Sequence, residues 1–360
     1  MAKSLEQILG YVPLTELIQA IKTGMPDNLP PSFTSTKSEV PGNSGRYTQV
    51  KGTRRTARLA QYGSPAVKRE LKGVESKDVK LLHTFEQIEM DPLTLQQLRN
   101  YDNYDIQRLG IQEVDRQQSE FAVYFDNLRL SATYSMLANG KIWFDSSGNL
   151  LPTSSGAQVT VDYGINANNQ NQLNGIITAS WATANTDIPS QLRNLRIRAA
   201  ELTGYPLKYA FYGVNIPSYL TQNNYVLDYL SRNPNFAQRF LEVAEIPDGL
   251  FGLTWVPVYT SFFEDSAGTN QTFFGSDTVV FTPEISREIY ELLEGTFMVP
   301  RSFNAAANMA AGIASLEQVT GRFAYAVPIH NPPTVQMLAG DTFLPVWKVP
   351  DAIFQADVTP

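Results

Sequence analysis

The chain has 360 residues, of which 43% are hydrophobic and 18% charged, and its formal net charge at pH 7 is -7. This composition is sufficient for one large domain or two to three ordinary domains with buried cores, which excludes a disordered polypeptide. The sequence contains no cysteine and no run of about 18 apolar residues, which excludes a disulfide framework, thiolate chemistry and a membrane-spanning helix.

Residues 1–46 are predicted to form an N-terminal arm that begins with short helices. Ser4 and Gln7 have the spacing of a capping box, and apolar residues then recur at helical intervals as far as Gly24. Residues 25–50 are rich in Pro, Ser, Thr and Gly, a composition that disfavours a packed helix. We therefore interpret this second part of the arm as extended.

The next segment, residues 47–90, is predicted to form a long hairpin of two strands. Its turn is expected near Gly63, Ser64 and Pro65, which supply turn chemistry. Positive charge is concentrated here, because residues 51–80 contain nine Lys and Arg but only three Asp and Glu. This local balance of +6 leaves -13 on the rest of the chain, so the protein is polarised and not merely acidic.

A basic run of this kind has three interpretations. It is a nucleic-acid patch, a solvated flexible arm, or one half of a protein–protein contact whose other half is the acidic remainder. The basic hairpin has no interleaved aromatic series beyond Tyr47 and Tyr62, which disfavours single-strand binding by base stacking. Binding of double-stranded DNA by charge alone stays open.

Residues 91–141 are predicted to form one long helix of about seven turns or more. Apolar residues recur along it at helical spacing, and Asn139 with Gly140 makes a C-cap. The following residues 141–165 are predicted to form a hairpin with Ser147, Gly148 and Asn149 near its tip.

A mixed α/β region follows a polar linker at residues 166–175. Asp187 is predicted to cap a helix that has Pro189 in its first turn and ends at Gly204. Residues 205–216 are predicted to form a strand, residues 252–281 contain a hairpin, and residues 285–295 are predicted to form another helix. The last thirty residues are strand-like, and their prolines predict edge strands. These prolines are Pro332, Pro333, Pro345 and Pro350.

We find no pattern that predicts catalysis, a cofactor site or a metal site. His83 and His330 lie far apart, without a second histidine or cysteine at metal-ligand spacing, so we expect structural roles for both. Glu288, Glu291 and Glu294 would lie close together on the predicted helix, as in an acid/base pair, but helix faces are commonly lined with carboxylates for solvation. An enzyme is therefore disfavoured.

A series of aromatic residues along the long helix has two interpretations. The rings could stack on bases, but their helical spacing favours packing in a core. The residues concerned are Tyr101, Tyr104, Phe121, Tyr124 and Phe125.

Several stretches, in a fixed order, resemble a known protein family. They are YGSPAV at 62–67, LANGK at 137–141, VTVDYGINANN at 159–169, FGSDTVVF at 274–281 and PTVQMLAGDTFLPVWKVPDAIFQADV at 333–358. Each is a weak motif, but their order from about residue 45 to the end is similar to that of the lambda-like capsid protein E family. This family belongs to the tailed-phage major capsid proteins of the Hong Kong 97-type fold.

The resemblance implies an α+β fold divided into five parts. Residues 1–46 would be the N-terminal arm, 47–90 the extension loop, and 91–177 the peripheral domain with its long spine helix. Residues 178–325 would be the axial α/β domain, and 326–360 the C-terminal strands that return to the peripheral domain.

The resemblance also implies a function and a set of partners. Copies of the chain would assemble through hexamers and pentamers, in the host cytoplasm, into the icosahedral shell of a virion that encloses double-stranded DNA without sequence-specific binding. Scaffolding, portal and decoration proteins are candidate partners, whereas no membrane, cofactor or enzymatic activity is implied. The alternative is a nucleic-acid-binding protein that uses the basic hairpin at 51–80.

In the shell, the basic hairpin is expected to lie across a neighbouring subunit that carries the compensating acids. Six residues are the predicted inter-subunit contacts: Arg54, Arg55, Arg58, Lys68, Arg69 and Lys72.

Overall fold

The computed structural model describes residues 4–21, 29–50, 74–100, 103–169, 177–232, 240, 246–258, 262–264, 268–300, 316–330 and 333–359. Within these residues the helices are α1 (Leu5–Leu9), α2 (Tyr11–Ala20), α3 (Ser32–Ser35), α4 (Pro92–Leu98), α5 (Tyr104–Asn139), α6 (Ile188–Thr203), α7 (Ile216–Gln222) and α8 (Asn224–Ser231). The first strands are β1 (Lys37–Val40), β2 (Ser44–Val50), β3 (Val74–Lys80), β4 (Leu82–Glu89), β5 (Lys141–Phe144), β6 (Leu150–Leu151), β7 (Val159–Asp162) and β8 (Leu207–Tyr212). The others are β9 (Thr254–Pro257), β10 (Phe262–Glu264), β11 (Asn270–Thr272), β12 (Thr278–Pro283), β13 (Tyr290–Pro300), β14 (Leu316–Thr320), β15 (Phe323–His330), β16 (Pro333–Trp347) and β17 (Phe354–Asp357).

The larger of two main sheets is organised around the 15-residue strand β16. Its strands follow the order β1-β13-β16-β15, with β4 also paired to β16 and β14 to β13. All pairs are antiparallel except β1 with β13. Because side chains alternate across a strand, Val335, Met337 and Ala339 of β16 all point to one face, where they pack on Phe121 and Phe125 of α5.

The long helix α5 confirms the sequence prediction in its length and its cap. Its 36 residues span roughly 54 Å at the usual rise of an α-helix. The Asn103 side chain accepts hydrogen bonds from the first turn, and Gly140 closes the helix in the left-handed conformation with φ 66°. One correction is needed, because residues 92–98 form the separate helix α4, which begins at Pro92 and is interrupted after Leu98.

The second main sheet has the strand order β17-β12-β8-β9 and a hydrophobic core of its own. Helix α6 packs on this sheet through Leu192, Leu195 and Ala199. The predicted signals at its two ends are confirmed: Asp187 accepts a hydrogen bond from the Ser190 backbone, and the helix ends at the left-handed residue Gly204. The predicted hairpin within residues 252–281 is the antiparallel pair β10 and β11.

The predicted long hairpin is present at its base as the antiparallel ribbon β2–β3. Its turn, expected at residues 63–65, lies outside the described residues. The prediction that one strand continues to residue 90 is wrong, because the chain breaks at Leu81 and β4 then pairs with β16. Leu81 is buried in the core, which fixes this change of direction.

Residues 25–50 were predicted to be extended, and this is correct for the strands β1 and β2 but not for α3. The four-residue helix α3 places Phe33 in the core, where its ring lies 4.7 Å from that of Tyr290. The arm is thus packed on the larger sheet through both α3 and β1.

Two predictions for the C-terminal third are wrong. Residues 290–295, predicted as part of a helix, lie in strand β13 because backbone pairing with β1 and β16 overrides their helical pattern. Strand β16 is not an edge strand, since it has partners on both sides. Its prolines are still accommodated, because Pro333 is its first residue and Pro345 lies beyond the last residue that pairs with β4.

Candidate subunit interface

The six basic residues predicted to contact a neighbour lie in segment 51–73, outside the described residues. The ribbon that carries this segment is firmly attached to the protein. Buried Gln49 donates a hydrogen bond from Nε2 to the Tyr163 carbonyl at 2.6 Å, and the Val50 amide donates to the Lys348 carbonyl at 2.9 Å. The end of the ribbon, where Val50 pairs with Val74, therefore lies next to Lys348.

A buried ion-pair network joins α5 to the larger sheet. The Arg129 guanidinium donates to both carboxylate oxygens of Asp341 at 2.6 Å and to Glu294 Oε1 at 2.8 Å. The Asp341 side chain is 0% exposed, and Arg322 Nε lies 3.4 Å from it. Burial opposes the charge on Arg129, but the charges and hydrogen bonds of Asp341 and Glu294 together outweigh it and raise the pKa of Arg129.

The same network also connects the larger sheet to the N-terminal arm, and it makes a second connection to α5. Lys37 of β1 donates to Glu294 Oε1 at 2.9 Å, and Arg322 forms an ion pair with Asp126 of α5. Burial raises the pKa of Glu294, but Arg129 and Lys37 have the larger combined effect, and the pKa is lowered. Three cations and three carboxylates thus fix the arm, the long helix and the sheet to one another.

Glu291 and Glu294 lie on opposite faces of β13, since they are three residues apart in a strand. Glu291 accepts a hydrogen bond from Ser38 and pairs with Lys348 and with Arg287. Its pKa is lowered by these partners in spite of burial. The interpretation of these carboxylates as an acid/base pair on one helix face is therefore wrong.

Of the two histidines, His83 has a described side chain. Its Nδ1 lies 2.8 Å from Thr342 Oγ1, and burial lowers its pKa.

Of the aromatic residues considered for base stacking, Phe121 and Phe125 are 1% exposed and belong to the core, as predicted, whereas Tyr124 is 53% exposed. The side chains of Tyr101 and Tyr104 lie outside the described residues.

A surface that the sequence analysis missed lies on the outer face of the larger sheet. We define the aromatic strip as His83 and Phe85 of β4, Phe297 of β13, and Phe323 and Tyr325 of β15. The rings of Phe297 and Phe323 are parallel within 3° with centroids 4.4 Å apart, and His83 lies 5.1 Å from Phe297. The alternation of His83 with Phe85, and of Phe323 with Tyr325, is the only sequence signal for it.

A cleft of about 930 Å³ lies between the arm, α5 and the ribbon of β13 and β14. Its charged walls include five of the six members of the ion-pair network: Lys37, Asp126, Arg129, Glu294 and Arg322. Among the described residues, no group of three or more His, Asp and Glu is arranged to hold a metal ion. No helix in the described part of the chain is long and apolar enough to cross a bilayer.

The described residues form an α+β chain with three hydrophobic clusters, and ion pairs of Lys37, Arg129 and Arg322 join the arm, α5 and the larger sheet. The chain belongs to the family described as phage major capsid protein E, whose model matches residues 12–358. It is therefore a shell-forming component of a phage virion. The predicted order of arm, hairpin, long helix, second sheet and returning strands is present, which confirms the prediction of a Hong Kong 97-type fold.

Several solved structures are similar to the chain at low identity. A phage-related protein from Bordetella bronchiseptica RB50 is 9% identical, with 97% of each chain covered and a TM-score of 0.49. A capsid protein assigned to a prophage of Escherichia coli CFT073 is 12% identical, covering 99% of this chain and 93% of its own, with a TM-score of 0.48. A structure of Gordonia phage Cozz is 13% identical, covering 94% of this chain and 91% of its own, with a TM-score of 0.46. The assignment rests on the family match and not on these likenesses. No curated protein sequence matches the chain significantly.

Proposed function

We propose that the chain is the principal building block of an icosahedral shell, in which its copies form hexamers and pentamers around double-stranded DNA. The observation that carries this proposal is the family match over residues 12–358, nearly the whole chain. The charge distribution supports it, because a basic hairpin and an acidic remainder on the same chain are complementary between copies.

We assign the larger sheet with α5 to the peripheral domain and the second sheet with α6 to the axial domain. One hydrophobic cluster lies between the second sheet and α6, and another lies between the larger sheet and α5, which supports this division. A third cluster joins the two parts, for example through Phe211 of β8 and Leu344 of β16. The sequence predicted an axial domain at residues 178–325. We keep its start near residue 178 but place the end of its main part near residue 285, because β13 pairs with β16 in the larger sheet. Strand β17 returns to the axial sheet beside β12. Residues 47–90 are the extension loop, of which β2 and β3 form the base.

The basic segment is proposed to lie across a neighbouring subunit through Arg54, Arg55, Arg58, Lys68, Arg69 and Lys72. Its test is the triple variant Arg54→Glu, Arg55→Glu and Arg58→Glu. We expect the variant to stay folded by circular dichroism but to form no shells in electron micrographs. Normal shells would overturn the contact.

A matched triple variant controls for the change in net charge. It replaces three exposed arginines by Glu: Arg99 at the end of α4, Arg108 on α5 and Arg193 on α6. These changes alter the total charge by the same amount as the changes in the basic segment. This control is expected to assemble. If it also fails, the loss of shells reflects net charge, and the assignment of the contact to the basic segment is wrong.

We propose that the finished shell holds DNA without sequence-specific contacts. The remainder of the chain carries -13 outside residues 51–80, and an acidic or neutral lining leaves the phosphate backbone free to move during packaging. Shells that contain DNA should release it at physiological salt once the shells are opened. Retention that falls steeply with salt would favour the alternative, a nucleic-acid-binding protein that uses residues 51–80.

We also propose that the shells assemble in the host cytoplasm and that the chain contacts scaffolding, portal and decoration proteins. Both proposals follow from the role of a major capsid protein in a tailed phage. Copurification of shells with the neighbouring products of a phage lysate, identified by mass spectrometry, tests these partners. The proposed role is structural and includes no enzymatic step.

A further inference from the structure

We propose that the aromatic strip is a docking surface for a second copy of the chain, and that it receives the arginine side chains of segment 51–73. This inference rests on the proposed function and names the surface that the basic segment meets. It adds a specific chemistry, stacking of guanidinium groups on aromatic rings, to the attraction between opposite charges.

The strip lies on the face of the sheet opposite to the helices. Phe323 of β15, Gly340 of β16 and Phe85 of β4 are direct neighbours in register, so their outer sides form one row across three strands. The next row contains Tyr325 and Leu338. The other face of these strands is covered by α2 and α5, whereas the strip has no helix over it in the described part of the chain.

Several rings of the strip are open to solvent in the isolated chain. Phe85 is 43% exposed, and Phe297 and Tyr325 are partly exposed. Contiguous aromatic surface of this kind is a mark of an interaction site on a soluble protein. Aromatic residues are also enriched in the buried centres of protein interfaces.

The charge around the strip favours a cationic partner. Glu89 of β4 lies on the same side of the sheet as Phe85, four residues along, and its Oε1 accepts a hydrogen bond from Gln336. Burial lowers the pKa of His83, which keeps its ring neutral near pH 7. The two cation–π contacts seen among the described residues, Arg129 on Phe343 and Lys208 on Tyr209, lie elsewhere, so no described lysine or arginine occupies the strip.

The chain itself supplies a partner of matching chemistry. Segment 51–73 contains four arginines and three lysines against one acid. Its two ends leave the described ribbon beside Lys348, which is eight residues along the chain from Gly340, or about 26 Å at 3.3 Å per residue. Since the family membership places identical subunits side by side, the segment of a neighbour is the occupant that we assign.

The direct test is site-specific photocrosslinking in shells. Benzoylphenylalanine is introduced at position 85, and shells are assembled from an equal mixture of ¹⁵N-labelled and unlabelled subunits. After irradiation, mass spectrometry identifies the crosslinked peptides. We expect crosslinks to residues 51–73, with pairs of mixed isotopic composition as abundant as like pairs. Crosslinks to another segment or another protein, or like-isotope pairs only, overturn the inference. The same probe at Tyr225, which is 48% exposed on α8, is the control and should not capture this segment.

A coupling experiment tests the stacking chemistry. Phe85→Leu keeps an apolar side chain but removes the ring, and Arg54→Lys with Arg55→Lys and Arg58→Lys keeps the charge but weakens stacking. Each change is expected to raise the critical concentration for shell formation about 2- to 10-fold. Combined, they should raise it no further than either alone, because both remove one interaction. Multiplicative effects contradict the inference.

These outcomes are distinct from a failure of the proposed function. If the unmodified chain forms no shells, the proposed function fails. If shells form but the crosslinks lie elsewhere, only the assignment of the strip is wrong.

Discussion

Arg129 on the long helix and Asp341 on the central strand of the larger sheet form a bidentate ion pair, with both N···O distances at 2.6 Å. The two residues are 212 positions apart in sequence. Asp341 is completely buried, so removal of its partner leaves a charge in a poorly solvated site. The pair therefore contributes to how the helix is held on the sheet.

Replacing Arg129 by methionine is expected to lower the free energy of unfolding of the isolated subunit by about 3–5 kcal/mol. Urea denaturation followed by tryptophan fluorescence measures this change. The control is Arg116→Met on the same helix, where an arginine that is 57% exposed pairs with Glu113 and Glu120. Its effect should stay below about 1 kcal/mol. Equal losses of the free energy of unfolding in the two variants would show that the buried network stabilises the subunit no more than an exposed ion pair does.

Stability should fall in acid because Glu291 and Glu294 have folded-state pKa values below their ordinary 4.5. The unfolded chain then binds protons at higher pH than the folded chain does. The stabilisation from the two glutamates is present above pH 4.5 and is lost as the pH falls through the lower folded-state values. Thermal unfolding of the subunit at a series of pH values measures it.

The variant Glu294→Gln isolates one member of this pair. It is expected to be less stable than the unmodified chain at neutral pH, because Arg129 and Lys37 lose their shared carboxylate. The difference should shrink as the pH falls from 4.5 through the lowered folded-state pKa of Glu294, because the unfolded form of the unmodified chain binds the proton first. A difference that stays constant with pH would contradict the assigned pKa shift.

Gly340 leaves the space that the Phe323 ring occupies. A Cβ at this position would collide with that ring and would lie 2.8 Å from the Thr84 carbonyl oxygen, which belongs to the backbone of β4. Gly340→Ala should therefore lower the free energy of unfolding by about 1–3 kcal/mol. Gly45→Ala is the control, since its Cβ would meet only flexible side chains, the nearest being Leu293 at 3.2 Å. A smaller loss at 340 than at 45 would argue against the close packing of the ring.

The Tyr163 hydroxyl donates a hydrogen bond to the Pro345 carbonyl at 2.6 Å in the core. Tyr163→Phe should lower the free energy of unfolding by about 1–3 kcal/mol, since the buried carbonyl loses this partner. The exposed Tyr225 provides the comparison, and Tyr225→Phe should change the stability by less than about 0.5 kcal/mol. Equal stability of the Tyr163 variant and the unmodified chain in denaturant titrations would contradict the role of this bond.

The sequence predicted best the elements whose signals are local. The helix α5 and its end at Gly140, and the helix α6 between Asp187 and Gly204, depend on caps and periodicity that lie within a few residues. The capping box of Ser4 and Gln7 is likewise present. The family and the order of elements could also be predicted, because they depend on many weak motifs in a fixed order.

Elements that depend on distant partners were predicted poorly. Residues 290–295 carry a helical pattern, yet β1 and β16 pair with them as strands. Glu294 is paired with Lys37 and Arg129, which lie 257 and 165 residues away, so its environment could not be predicted from neighbouring residues. The aromatic strip likewise brings Phe85 beside Phe323 from opposite ends of the chain.

The measurement that tests the central claim most directly is electron microscopy, combined with sedimentation velocity, of the full chain expressed alone. The account predicts closed shells or tubes, together with hexamers and pentamers that sediment as discrete species. A monodisperse monomer at every concentration, binding DNA with an affinity that falls steeply as salt rises, would contradict the account and favour the nucleic-acid-binding alternative.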